Sequence, residues 1–193
     1  AFQYLSAAEQ REPSYASARA GGVLLLRAGR AQEAVHWLER ALDRAGSADR
    51  GVALANTGRA DEARAEVVAF DDAVKGLDGL ERWLGNQPAA EIMPLARLVL
   101  LGEIEYKAGN TELGLDLLAQ ACAAEEKIIY AEPAPWMMPA RHAYGALLVS
   151  EGRYGDAEKV YIRDLEVYPA NGWARLGRRE AHRGQGRGDE ALR

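Results

Sequence analysis

Cysteine occurs once in the chain's 193 residues, at Cys122. No disulfide can form within the chain, which excludes the small disulfide-stapled secreted scaffolds. Long apolar runs are missing too. The longest, Leu95–Leu101, is broken by Arg97 and falls well short of the roughly 20 residues that a membrane-spanning helix needs. No signal-peptide pattern opens the chain. A cytoplasmic location is therefore the expectation, although a start at Ala1 without methionine leaves an exported form open. Valine and isoleucine are too sparse to build a sheet, and no segment alternates apolar and polar residues between turns. Basic charge is not in excess: 24 Lys and Arg face 29 Asp and Glu, for a net charge of -5. A general nucleic-acid binder carries the opposite balance.

Reaction motifs are absent as well. There is no G-x-x-x-x-G-K-[ST] phosphate loop and no H-E-x-x-H. Gly184, Gly186 and Gly188 cluster, but no strand precedes them as a dinucleotide site requires. His36, His142 and His182 share no ligand spacing with Cys122. The acidic phrase Phe70–Glu81 lacks calcium-loop spacing. Glu103 and Glu105 point in different directions on a helix, so they make no two-carboxylate acid–base pair. The arginines from Arg175 to Arg193 are diluted by Glu180, Asp189 and Glu190 and read as a solvated helix face. The expectation is a protein that is not an enzyme, with no catalytic residue, no cofactor and no metal.

What is present is helix. Hydrophobic residues make up 48% and charged residues 27%, an ordinary globular balance with enough length to bury a core. Alanine, leucine, glutamate and arginine dominate, and all are strong helix formers. Arginine far outnumbers lysine, a bias of GC-rich bacterial coding sequences. Apolar residues recur at helical spacing, as in Val35, Leu38 and Leu42 or Leu115, Leu118 and Cys122. One phrase repeats: a glycine followed five positions later by alanine, at Gly29–Ala34, Gly58–Ala63, Gly152–Ala157 and Gly186–Ala191, with a degenerate copy at Gly109–Gly114. A large residue follows four further on (Leu38, Val67, Leu118, Tyr161), then a small or short one (Ala41, Ala121, Asp164). Trp173, Leu176 and Gly177 spell W-x-x-L-G, and Pro169 closes a unit.

This pattern resembles the tetratricopeptide repeat (TPR), a 34-residue helix–turn–helix unit. The resemblance implies an all-α, right-handed superhelical solenoid of antiparallel helix pairs. It also implies a left-handed backbone at each turn glycine, and small residues where the two helices approach. Gly152 to Gly186 spans 34 residues, one standard unit. The interval from Gly29 to Gly58 is 29, from Gly58 to Gly109 it is 51, and from Gly109 to Gly152 it is 43. These intervals place the second helix of a truncated repeat at 1–13, a repeat at 14–46, a shortened repeat at 47–76 and an extra helix at 77–88 with Leu77, Leu80, Trp83 and Leu84 on one face. They continue with a repeat at 89–127, an irregular Pro-rich loop at 128–136, a repeat at 137–169 and a partial repeat at 170–193, all in a single array.

The run Tyr130–Trp173 also resembles a narrower group of bacterial TPR-containing proteins, with an E-P-x-x-W…P-x-R loop and a repeat ending in P-x-N-G-W. The matching residues are Tyr130, Glu132, Pro133, Trp136, Pro139 and Arg141, then Pro169, Asn171, Gly172 and Trp173. The second proline is displaced to Pro135, and the group's histidine phrases are missing from the first half. The loop has two readings. Tyr130 and Trp136 could plug the gap left by the insertion while Glu132 pairs with Arg141, or Tyr130, Glu132 and Trp136 could form a wall of a binding groove.

By register, the TPR resemblance places peptide contacts on the first helix of each pair: Arg19, Arg27, Glu103, Tyr106, Lys107, Arg141, His142, Asn171 and Arg178. Each of these can also be a solvated or packed residue, with His142 bonded to Glu103 or Glu132. The implied function is a protein–protein interaction scaffold holding a protein or peptide partner in the concave groove, with no nucleic acid and no membrane span. The alternatives are a small-molecule or metal-assisted activity beside the 128–141 loop, and a homo-oligomer formed through the array ends, where Phe2, Tyr4 and Leu5 would be exposed.

Overall fold

The computed structural model of the chain describes residues 47–75, 83–84, 87–129 and 139–188. The sequence-predicted elements at 1–13 and 14–46, with Arg19 and Arg27, lie outside the described residues. So do most of the 128–136 loop and its residues Tyr130, Glu132 and Trp136. Packing divides the chain into two compact units, Ala1–Gly79 with Glu103–Thr111, and Leu80–Gly102 with Glu112–Arg193.

Most described residues are helical. The helices are α1 (Ser47–Asn56), α2 (Ala60–Lys75), α3 (Ala89–Lys107), α4 (Thr111–Glu125), α5 (Ala140–Ser150), α6 (Tyr154–Val167) and α7 (Gly172–Gly184). The expected extra helix at 77–88 is corrected where it is described. Trp83–Leu84 (β1) and Gln87–Pro88 (β2) form an antiparallel pair, with Trp83 opposite Pro88 and Leu84 opposite Gln87. The sequence between these strands is Gly85–Asn86, a dipeptide suited to a two-residue hairpin connection. That local turn chemistry, with Pro88 unable to donate a backbone hydrogen bond, overrides the leucine spacing.

Three of the helix-to-helix connections are tight, and each turns on one residue. Gly58 (φ 78°), Gly109 (φ 92°) and Gly152 (φ 71°) take the left-handed conformation, as does Gly186 (φ 74°) after α7. No other described residue has a positive φ. The hydrogen bonding is the same at all four. The glycine N–H donates to the carbonyl three residues back (Ala55, Tyr106, Val149, Arg183), and the next N–H reaches the carbonyl five back (Leu54, Glu105, Leu148, His182). This double closure is the Schellman motif, which needs a residue without a Cβ at its left-handed position.

In the first unit, α1 packs on α2, burying Leu54 and Ala55 against a stripe of Ala63, Val67 and Phe70. Arg64 reaches Glu105 with two bonds of 3.2 and 3.3 Å.

In the second unit, Leu95 and Val99 of α3, Leu118 and Ala121 of α4, and Ala140 and Ala143 of α5 form one core cluster. A second cluster joins Leu115 and Leu148 to Ala157, Tyr161, Ala174 and Ala181. Helices α5, α6 and α7 pack in all three pairings. Their closeness rests on missing side chains. A Cβ on Gly145 would stand 2.6 Å from the Tyr161 ring, and one on Gly177 would overlap the same ring. Likewise a Cβ on Gly102 would come within 2.7 Å of Leu118.

Candidate functional site: a buried polar seam under the last hairpins

The polar residues of the second unit concentrate where α5, α6 and α7 meet. Asn171 sits just before α7, and its side-chain oxygen accepts the N–H groups of Trp173 (3.1 Å) and Ala174 (3.5 Å), capping the helix. A cap of this kind contributes about 1 kcal/mol. The amide nitrogen of the same side chain lies 2.6 Å from Asp164 Oδ2 and 2.6 Å from His142 Nε2. His142 and Asp164 are buried, Asp164 completely, and their nearest polar atoms are 3.5 Å apart. The second oxygen of Asp164 is buried with no partner among the described residues.

Next along α5, Arg141 is 3% exposed. Its guanidinium donates to Glu125 Oε2 (3.3 Å) and to Glu126 Oε1 (2.7 Å). Glu125 Oε1 also accepts the Ala140 N–H at the start of α5 (3.0 Å). Burial pushes the Glu125 carboxyl above its ordinary range, although the Ala140 N–H and Arg141 pull it back. Glu126 accepts from Arg163 of α6 as well (3.0 Å), and the hydrogen bonds from Arg163 and Arg141 hold its carboxyl below the ordinary range. Beside this network is an open surface pocket of about 290 Å³, lined by Cys122, Ala123, Tyr144, Lys159, Val160 and Arg163 along with Glu126 and Arg141. Burial, with the nearby Glu125 charge, pushes the Cys122 thiol up to about 12.

A third cluster lies at the far end of α7. Glu158 of α6 receives His182 (2.7 Å), Gln185 (3.0 Å) and Arg187. Burial would raise its carboxyl, but the bonds from Gln185, His182 and Arg187 win and bring it down to about 2.

The sequence-predicted contact residues separate into two kinds. Arg141 and His142, placed by register on a groove wall, are instead buried in these networks, and the partners they show are Glu125, Glu126, Asp164 and Asn171. Asn171 is half-buried and spends its side chain on the same seam. Arg178 is half-buried, and its Nε donor is buried without a partner among the described residues. In the other unit, Glu103 and Tyr106 are partly exposed, and Lys107 holds its ammonium 5.9 Å from the centre of the Tyr106 ring, a cation–π arrangement. Sequence reasoning missed Asp164, Glu125, Glu126 and Glu158. Asp164 carried a signal: it is an ionisable residue at a register position otherwise held by alanine.

Among the described residues, no group of three or more His, Cys, Asp or Glu is placed to hold a metal ion. No described helix is long and apolar enough to cross a membrane. No protein-family model matches the chain, and no curated protein sequence matches it.

Proposed function

We propose that the chain is a TPR-type scaffold that binds a protein or peptide segment through the first helices of its hairpins. The observation that carries this reading is the recurrence of one turn. Of the five glycines picked out by the repeat phrase, Gly29 lies outside the described residues, and the other four are the described residues with positive φ, each closed by the same pair of backbone bonds. The packing of α5 on α7, the first helices of successive units, supports a stacked array. A right-handed superhelix of such units would present its first helices on a concave face, and a preformed face spares a partner much of the ordering cost of binding.

Tyr106 and Lys107 in one unit, and Arg178 in the other, are described first-helix residues that stand outside these buried networks. Arg141 and His142 are withdrawn from the contact set because their polar atoms are engaged inside the fold. The same engagement lowers the support for a reaction centre built on Glu103, Tyr106, Glu132, Arg141 and His142.

The test begins with selection from a displayed peptide library against the whole chain. Fluorescence anisotropy then compares the selected peptide's affinity for wild type, Tyr106→Ala, Arg178→Ala and Ile162→Ala. The expected result is a loss of about tenfold or more in the first two variants. Ile162, exposed on a second helix, should be silent. Failure to select any peptide, or an equal loss in Ile162→Ala, would overturn the reading.

A further inference from the structure

We infer that His142 is a proton-operated latch on α7, exchanging the Asn171 amide for the Asp164 carboxylate when it takes up a proton at Nε2.

The argument is one of hydrogen-bond accounting. The Asn171 side chain can be oriented only one way. Its oxygen faces the N–H groups of Trp173 and Ala174, so turning the amide over would set NH₂ against two donors and oxygen against a carboxylate. The two NH₂ hydrogens are thereby assigned, one to Asp164 Oδ2 and one to His142 Nε2, both at 2.6 Å. His142 Nε2 must accept, so the imidazole is neutral with its hydrogen on Nδ1.

A proton on Nε2 reverses this. Donor would then face donor at 2.6 Å, and the Asn171 amide must leave. An acceptor stands close to that nitrogen: Asp164 Oδ2, 3.5 Å away. Asp164 is fully buried and has a second oxygen without a partner among the described residues, so it has capacity for a cation beside it. The charged groups facing His142 are the Glu125 carboxylate of α4 and the Asp164 carboxylate of α6. From the cap of α7 comes the neutral Asn171. On its own helix Arg141 is already paired to Glu125 and Glu126.

The amide that leaves is also the cap. Trp173 and Ala174 lose their acceptor, and the first turn of α7 loosens. That turn carries Trp173, 49% exposed, and Leu176, 46% exposed. Protonation of His142 at Nε2 therefore loosens an apolar-bearing turn while the other hairpins stay closed.

The test uses the whole chain, ¹⁵N-labelled, between pH 8 and pH 5. At pH 8 the nitrogen shifts of His142 should show the Nδ1–H tautomer. On acidification, hydrogen-exchange protection at the Trp173 and Ala174 amides, corrected for intrinsic rates, should fall about tenfold. Protection at the Arg153 amide, in the Gly152 turn, should not change. His142→Gln offers Asn171 a carbonyl oxygen and cannot be protonated, so its protection at Trp173 and Ala174 should be flat with pH. An Nε2–H tautomer at pH 8, flat protection in wild type, or an equal fall in His142→Gln would each overturn the inference. The tautomer and wild-type protection decide it even where the variant fails to fold.

Discussion

The ring of Tyr161 lies against the bare backbone of Gly177, so close that a single added carbon would overlap it. The same ring also meets Gly145. One aromatic side chain of α6 thus sets how near both α5 and α7 can come. Gly177→Ala is expected to destabilise the fold by about 1–3 kcal/mol through overpacking. The cost should shrink in a Tyr161→Leu background, where the space is already open. Urea denaturation of the two single variants and the double variant measures that coupling.

Two glycines near one turn should respond with opposite signs. Gly152 is left-handed, so Gly152→Ala should cost about 1–2 kcal/mol. Gly155 lies in the first turn of α6 with open space where a Cβ would go, and Gly155→Ala should gain about 0.5 kcal/mol. Thermal unfolding of the two variants side by side distinguishes strain from simple helix propensity.

Arg141→Ala leaves Glu125 facing the interior without its cation, and a loss of about 3–5 kcal/mol is expected. Removing the partner on the wet side should matter far less. Glu126→Ala takes away a side chain that is 44% exposed and should cost no more than about 1 kcal/mol. Comparable losses in the two variants, measured by denaturant titration, would show that burial is not what makes this ion pair matter.

Glu158 gives the protein an acid limb. Its carboxyl is at about 2 in the folded state against an ordinary value of 4.5. The unfolded chain therefore takes up the proton first as pH drops. The stability that Glu158 contributes is complete above about pH 4.5 and drains away as pH falls towards 2. Glu158→Gln should be less stable than wild type at pH 6, with the gap closing by pH 2.5. Denaturation midpoints at the two pH values check this.

Cys122 should be nearly inert in the folded protein. With its thiol pushed up to about 12 by burial, little thiolate is present at pH 8, and alkylation by iodoacetamide should be far slower than in the unfolded chain. Full reactivity should return in denaturant. Rapid labelling of the native chain would contradict the burial described for this residue.

The features legible in the sequence were those fixed by local backbone geometry. A left-handed turn demands glycine, so Gly58, Gly109, Gly152 and Gly186 announced themselves by residue type and spacing. Ala63, Ala121 and Ala157 showed where helices touch for a similar reason, since only a small residue fits. The seam was not legible, because its partners are set by packing between helices far apart in sequence. Arg141 finds Glu125 and Glu126, and His142 finds Asn171, 29 positions on. Nothing in either side chain names its partner. Asp164 sat at a position read as merely short, where a carboxylate and an alanine occupy similar space but differ in what they must bond. The β1–β2 pair was lost to a leucine stripe that outweighed Gly85, Asn86 and Pro88.

The four glycine turns also bear on how such a chain can change over generations. Each is sealed by its own backbone, with bonds reaching no further than five residues back. A stretch running from one of these glycines to the next begins and ends in the same conformation. Gene duplication or loss of the 34 codons between Gly152 and Gly186 would join like to like, without a loop to rebuild. The longer intervals, 51 and 43 residues, hold further residues that such an exchange would copy along with the hairpin. The tight turn is thus a natural splice point for inheritance, and the buried seam beneath α7 is what a copied unit would have to find again.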